Sequence, residues 1–333
     1  MTLETAFRVS ESAVQVDLSV IIVNWNSKEH LVRCLQSLRE QECSLIYEVI
    51  VVDNGSTDGS DRILEEESEW VRTYLSKDNL GFATASNAGI RRSCGEYVCL
   101  VNPDVVLSPN TLQKLYRYMA DHPAVGIAGP RVLSPDGTLQ VTCRVFPSLR
   151  TTLCRALALD RLFPRSRFLS SSFMDYSDHD REEAVDVLTG CFWIVRREAI
   201  DAVGLLDEKF FLYSEDVDWC KRFCEAGWLV SFYPDVEVEH VGGGSSTKQP
   251  LRSFMEMQKA QALYWRKHHG SIQFSVWRCL SVVHHLFRMI ASGLSYVFLS
   301  RRREEELYTT QRSLLALSFF LFGCSNPDSD KGR

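Results

Sequence analysis

Four polar features stand at the ends of apolar runs, where a side chain can do chemistry without giving up a fold-building role: Asp53, Asp104, the acidic cluster Glu215-Asp216-Val217-Asp218, and His240. Hard divalent cations such as Mg²⁺ and Mn²⁺ are held by one or two carboxylates together with substrate phosphates, and imidazole also suits Mn²⁺. Asp104 and His240 are therefore read as a pair able to share an ion that carries a diphosphate. A carboxylate free of that ion, Asp216, is the candidate general base for a hydroxyl nucleophile. Asp53 is placed to accept a hydrogen bond from the base or ribose of a nucleotide. Each feature also has a plainer explanation: an Asx-turn at Asp53 and at Asp104, acids complementing a helix N-terminus at 215–218, and a loop histidine at 240.

These residues need elements to hold them. The run Val98 to Val101 has the composition of a buried strand, and it stops at Asn102-Pro103-Asp104 because Pro103 has no N–H for a ladder. Leu18 to Val23 reads as a central strand, broken by Asn24-Trp25-Asn26-Ser27, with an amphipathic helix over Lys28 to Arg39. The unit repeats: a strand at Glu48 to Val52 ends in Asp53-Asn54-Gly55-Ser56, and another at Val71 to Leu75 leads through Asn79-Leu80-Gly81-Phe82 into a helix. Strands alternating with helices predict a parallel α/β sheet whose polar turns gather at one edge, the ligand edge of open sheets.

Ser108-Pro109 is expected to open a helix, Val125 to Gly129 to form a short strand, and Pro135-Asp136-Gly137 to make a hairpin turn. Residues 160 to 183 lack periodicity and read as a loop. Strands are expected at Val185 to Arg196, Leu229 to Tyr233 and Val236 to Val241, and Ser214 is the expected N-cap of a helix ended by Gly227. We divide the chain into a loose leader (1–17), a catalytic body (18–247, with halves 18–107 and 108–247) and a C-terminal amphipathic helical region (248–333).

With 45% hydrophobic and 24% charged residues the composition is that of a globular protein. The 11 cysteines are odd in number and scattered through core-like runs, and the N-terminus carries no apolar signal segment, which points to a reducing cytoplasm. Cys220 and Cys224 lie one helical turn apart, but structural zinc needs four ligands and no second pair is near. A P-loop and a glycine-rich dinucleotide fingerprint are absent. The net charge of −6 divides unevenly: residues 248–333 carry 13 Lys and Arg against 6 Asp and Glu, whereas residues 1–247 carry 24 against 37.

A basic, greasy tail on an acidic body favours an anionic membrane surface over nucleic acid as partner. Spanning is disfavoured, because Arg278, His284, His285 and Arg288 interrupt Phe274 to Leu299 and Leu314 to Gly323 is too short. Helices lying in the interface, aided by Arg301-Arg302-Arg303, fit better. The competing reading is a helix pair that packs on the body or on a second copy as a homodimer.

Six stretches, SVIIVNWN (Ser19 to Asn26), EVIVVDNGSTDGS (Glu48 to Ser60), NLGFATASNAGI (Asn79 to Ile90), VNPDVVL (Val101 to Leu107), FFLYSEDVDWCKR (Phe210 to Arg222) and EHVGGGS (Glu239 to Ser245), occur in this order. Together they resemble the inverting glycosyltransferases of family 2, particularly the bacterial rhamnosyltransferase-like branch. The resemblance implies a GT-A fold with a Rossmann-like, mainly parallel central sheet. It implies a nucleotide-diphosphate sugar donor, dTDP-rhamnose or a UDP-sugar, a divalent cation (Mg²⁺ or Mn²⁺), and a saccharide or lipid-linked saccharide acceptor at the cytoplasmic face of the inner membrane.

By the family's pattern Asp53 faces the nucleobase, Asn24 lies near the nucleoside, and Asn79, Gly81 and Asn87 line the donor pocket. Asp104 closes the metal motif, His240 approaches the metal or diphosphate from the far side, and Asp216 acts as base, with Glu215 and Asp218 as acceptor contacts. Asn102 departs from the usual Asp-X-Asp motif and becomes a donor-side contact, while Ser214 stands where relatives often have an aromatic. The same Asn-Pro-Asp is familiar in that branch and so does not imply inactivity; two alternatives of another class are a nucleotide-sugar-binding partner subunit with impaired catalysis, which would explain Asn102, and a membrane-associated scaffold, for which the tail would be the functional part.

Overall fold

The computed structural model describes residues 15–163, 165–169, 173–174, 177, 179–242, 249–298 and 303–323. The leader up to residue 14, the Gly243-Gly244-Ser245 stretch with the 247/248 boundary, and Arg301-Arg302 with the side chain of Arg303 lie outside the described residues.

The first half alternates as the apolar spacing predicts: β1 (Leu18–Asn24), α1 (Lys28–Arg39), β2 (Tyr47–Asp53), α2 (Ser60–Glu66), β3 (Val71–Leu75), α3 (Phe82–Ile90) and β4 (Tyr97–Val101). These strands are all parallel, in the order β3-β2-β1-β4. Alternate side chains of β1 enter two different cores, as period-2 geometry requires. Val20 and Ile22 meet Leu31, Leu35 and Leu38 of α1, while Ile21 and Val23 face the side occupied by Ala83, Ala85 and Ile90 of α3.

Past β4 the chain runs through β5 (Val105–Leu107), α4 (Thr111–Asp121), β6 (Val125–Leu133), β7 (Leu139–Gln140), β8 (Cys143–Arg144), α5 (Leu149–Ala156) and α6 (Leu159–Leu162). It continues with β9 (Glu183–Ala184), β10 (Val187–Leu188), β11 (Phe192–Arg196), α7 (Arg197–Val203), α8 (Glu215–Glu225) and β12 (Leu229–His240). The sheet grows on as β4-β11-β6-β12-β5. The mainly parallel sheet expected is kept, with interruptions: β6 and β12 run in the direction of β1 to β4, and β11 and β5 run against them. β11 is antiparallel to both β4 and β6, and β12 is parallel to β6 but antiparallel to β5. The result is a mixed α/β sheet flanked by helices.

Several local expectations shift. The helix foreseen at Ser108-Pro109 starts at Thr111. Ser214 occupies the N-cap position of α8, but its φ of 63° is left-handed and its hydroxyl caps nothing; side-chain capping needs an extended N-cap backbone. The two strands expected at 229–233 and 236–241 are one, irregular between Tyr233 and Glu237, where Pro234 has no N–H to offer the ladder.

Three helices close the described chain: α9 (Pro250–His268), α10 (Ser271–Phe298) and α11 (Arg303–Ser318), the last prolonged by a π-helical turn, Phe319–Gly323. α9 is tied to the body through α8, while α10 packs along α5 and α11. Among the described residues no helix is long and apolar enough to cross a membrane.

Candidate active site

The sheet register itself builds the first part of the site. After β4 the chain turns through Asn102-Pro103-Asp104, where the N–H of Val105 donates to the carbonyl of Asn102 at 3.1 Å, and at once enters β5. β5 pairs with the end of β12 so that Val105 stands opposite His240, and the N–H of Val241 donates to the carbonyl of Asp104 at 3.1 Å. His240 Nε2 consequently lies 3.3 Å from Asp104 Oδ1.

Gln140 of β7 sets the tautomer. Its amide nitrogen donates to the His240 carbonyl at 2.6 Å, so its amide oxygen must face Nδ1, 2.8 Å away, and accept that proton. Nε2 is left facing a carboxylate, an arrangement that calls for a proton or a cation between the two. Burial would raise the Asp104 carboxyl, but the hydrogen bond and charge of His240 outweigh it and hold the group below the usual carboxylate range. The pair therefore fits a divalent cation as two protein ligands. Among the described residues no group of three or more His, Cys, Asp or Glu gathers to hold an ion, so oxygen atoms of a substrate or water would complete its shell.

Asn102, Asp104 and His240 line a cavity of about 270 Å³ together with Asn79 and Gly81. Asn54 fixes that turn: its amide nitrogen donates to Asn79 Oδ1 and to the Gly81 carbonyl, and its amide oxygen accepts from the N–H of Leu80. Gly81, at φ +86°, lies so close to the 210–213 loop that a Cβ would stand 2.5 Å from the Phe211 carbonyl oxygen, and the N–H of Phe82 donates to that same oxygen at 2.8 Å. Trp25, Tyr213 and, from α9, Arg252 and Glu256 complete the wall.

Two expected members stand behind the wall. Asn24 donates to Asp53 at 2.8 Å, and the other oxygen of Asp53 accepts from the N–H of Ser56 at 2.8 Å, so this pair ties the ends of β1 and β2 together. Asn87 is a correction: it does not line the cavity. Its amide bonds the N–H and carbonyl of Leu206 and the Glu208 carboxylate, stitching α3 to the 206–208 segment.

Asp216 lies in the wall of a second cavity, of about 340 Å³, and Tyr213 lines both. Tyr213 and Ser214 are both in the left-handed region, at φ 71° and 63°. That conformation is uncommon for a bulky side chain and costs about 1 to 3 kcal/mol per residue, so the surrounding contacts must hold this turn in place. Arg144 of β8 forms an ion pair with Asp216 Oδ2, and the N–H of Val217 donates to Oδ1. Each oxygen keeps a lone pair for an incoming hydroxyl.

Glu215, beside it, is buried, and its Oε2 has no partner in the protein. Burial, and then the charge on Asp216, push the Glu215 carboxyl up to about 8. Asp218 is the second correction. It is fully buried, and Arg222, Lys267 and His268 surround it at 2.9, 2.8 and 2.7 Å. Burial opposes its ionisation, yet His268, Lys267 and Arg222 hold its carboxyl below the usual range. It anchors α9 to α8.

The sequence reading missed Arg144, Gln140, Asn54 and Tyr213. Only Asn54 and Tyr213 had a local signal, being neighbours of residues already singled out.

With this geometry in hand, the comparisons are specific. The family model described as Glycosyl transferase family 2 matches residues 19–204. The N-acetylglucosaminyl-diphospho-decaprenol L-rhamnosyltransferase of Mycobacterium tuberculosis is 31% identical over 309 residues, covering 87% of this chain and 97% of that enzyme. A dTDP-rhamnosyl transferase of Shigella flexneri is 25% identical over 290 residues, covering 83% and 89%. Among solved structures, a mannosyltransferase from Pyrobaculum calidifontis in complex with GDP-Man and Mn2+ aligns with a TM-score of 0.57 at 16% identity, over 93% of this chain and 88% of that one, a likeness of fold. The chain belongs to glycosyl transferase family 2 and is a glycosyltransferase.

Proposed function

We propose that this enzyme transfers a rhamnosyl residue from dTDP-rhamnose to the N-acetylglucosamine of a diphospho-lipid acceptor, with inversion, in cell-surface polysaccharide synthesis. The observation that carries the reaction type is the pair of cavities meeting at Tyr213, one holding the Asp104–His240 pair and the other the Asp216 carboxylate. A charge-stabilising end and a basic end on either side of one residue suit a single displacement. The choice of sugar and acceptor is supported by the names of the Mycobacterium and Shigella relatives, both aligned over most of their lengths.

In this reading the nucleotide sugar occupies the cavity of Asn79, Gly81 and Asn102, with its diphosphate toward Asp104 and His240. A divalent cation held there supplies stabilisation for charge on the departing diphosphate. Asp216, oriented by Arg144, takes the proton of the acceptor hydroxyl as its oxygen bonds to the anomeric carbon. The bond from that carbon to the diphosphate oxygen breaks with its electron pair leaving on the nucleoside diphosphate. The site for Glu215, buried and with its carboxyl raised to about 8, keeps a neutral acid beside the base at neutral pH.

α10 exposes Val283, Leu286, Phe287, Ile290, Leu294 and Val297 at helical spacing, which supports a peripheral seat on the cytoplasmic face of a membrane with the helices lying in its plane.

The test is a donor panel. Purified protein is given an N-acetylglucosaminyl-diphospho-lipid with dTDP-rhamnose, UDP-glucose or GDP-mannose in Mn²⁺, and products are read by mass. Rhamnosyl transfer from dTDP-rhamnose alone is expected; a product from either other donor at equal rate would displace the rhamnosyl assignment.

A further inference from the structure

The second cavity holds more positive charge than the proton transfer at Asp216 calls for. Beyond Asp216 its wall is formed by Arg155 of α5, Arg288 with His284 and His285 of α10, and Arg312 of α11. Among the described residues none of the three arginines has an ion-pair partner, whereas Arg144 and Arg222 nearby are both paired. Burial and then the charges of Arg161, Arg312 and Arg155 hold the Arg288 guanidinium below its usual range. At Arg155 burial acts the same way, opposed by Asp160 and reinforced by Arg161 and Arg312.

The histidines feel the same field. Burial, then Arg155 and Arg288, lower His284 to about 4. His285 is buried and neutral, with its Nδ1 left without a partner in the protein. Three like charges around one hollow repel one another unless an anion joins them, and guanidinium groups suit phosphate oxygens in particular.

What lies beside the hollow narrows the anion. On α10, Leu286, Phe287, Ile290 and Leu294 are 43%, 59%, 49% and 55% exposed, and on α5, which packs against α10, Leu153 is 43% exposed, as is Leu157 just past its end, at 52%. Apolar side chains and unpaired guanidiniums therefore share two helices, and the base lies in the wall of the same cavity. A ligand matching these three surfaces carries a hydroxyl, a polyanion and a hydrocarbon chain.

We infer that Arg155, Arg288 and Arg312 form the seat of the acceptor's lipid-linked diphosphate, with the hydrocarbon running along the exposed apolar strip of α5 and α10. This rests on the transfer reaction proposed above and assigns a place to its acceptor. The seat also sets a register: an acceptor gripped at its diphosphate presents a hydroxyl of the first sugar toward Asp216.

The test measures binding rather than turnover. The full chain in detergent is titrated with farnesyl diphosphate, farnesol, inorganic pyrophosphate and, with Mn²⁺, dTDP. The triple variant R155Q/R288Q/R312Q is expected to weaken farnesyl diphosphate at least about tenfold while leaving dTDP and farnesol within about twofold of the unaltered protein. Arg288→Glu alone, a single substitution, is expected to weaken farnesyl diphosphate in the same direction and guards against a misfolded triple variant. Farnesyl diphosphate bound equally by both variants, with dTDP binding intact, would overturn the seat and leave the proposed function standing. Pyrophosphate bound as tightly as farnesyl diphosphate would overturn the lipid assignment. Failure of the unaltered protein to bind dTDP would count against the proposed function itself.

Discussion

Arg144, on a two-residue strand, forms an ion pair with Asp216, 72 positions later at the first turn of α8. Both side chains are largely enclosed, at 18% and 11% exposure. Removing one partner of such a pair strands the other, at a cost of about 3 kcal/mol. Arg144→Gln is expected to lower the Tm in a thermal melt and to reduce kcat more than it raises the KM for donor, because it disorders the base and leaves the donor cavity intact. An unchanged kcat would show that the pair is not needed for turnover.

Glu215 predicts a pH dependence of stability. Its folded carboxyl is raised to about 8 from an ordinary value of 4.5, so the folded state binds more protons than the unfolded chain between those values. Unfolding free energy must then fall as pH rises through that window, by at most about 1.4 kcal/mol per pH unit. Denaturant melts from pH 5 to pH 9 are expected to show this decline, and Glu215→Gln is expected to flatten it. A slope unaffected by the substitution would place its origin elsewhere.

Gly81→Ala is expected to damage the donor site. The new Cβ would meet the Phe211 carbonyl at 2.5 Å, on a backbone with φ +86° that favours glycine. Backbone cannot move aside as a side chain can, so the 210–213 loop must shift and carry Tyr213 with it. A loss of dTDP binding of at least about tenfold in calorimetry is the expected result.

Asp104→Ala addresses the metal pair. In the unaltered protein dTDP is expected to raise the Tm more with Mn²⁺ than without, since a ligand bound only by the folded state stabilises it. The variant is expected to lose the metal-dependent increment. An increment that survives would separate the cation from Asp104.

The strand-end acids were legible because a buried strand writes itself as an apolar run and proline writes its end; Asp104 could be found from Pro103 alone. Its pairing with His240 was expected from ligand chemistry, but no local pattern showed what would bring the two together. That contact depends on β5, three residues long and too short to show a period, and on the register that sets Val105 opposite His240. Asp218 misled for a related reason. Its acidity in a first helical turn suits a site as well as a helix terminus, and only the docking of Lys267 and His268 from α9 shows that it is a buried anchor. Asn87 was assigned by resemblance, and its partners at 206–208 lie too far along the chain for any local pattern to reveal them.

The most direct test of the account is the turnover of Asp216→Asn with dTDP-rhamnose and an N-acetylglucosaminyl-diphospho-lipid, alongside its binding of dTDP. The amide keeps the size and a hydrogen bond but cannot take the proton. The account predicts unaltered dTDP binding with transfer reduced by about 10²- to 10⁴-fold, the range that general-base catalysis contributes. Transfer within a few-fold of the unaltered enzyme would contradict the assignment of Asp216 as the base.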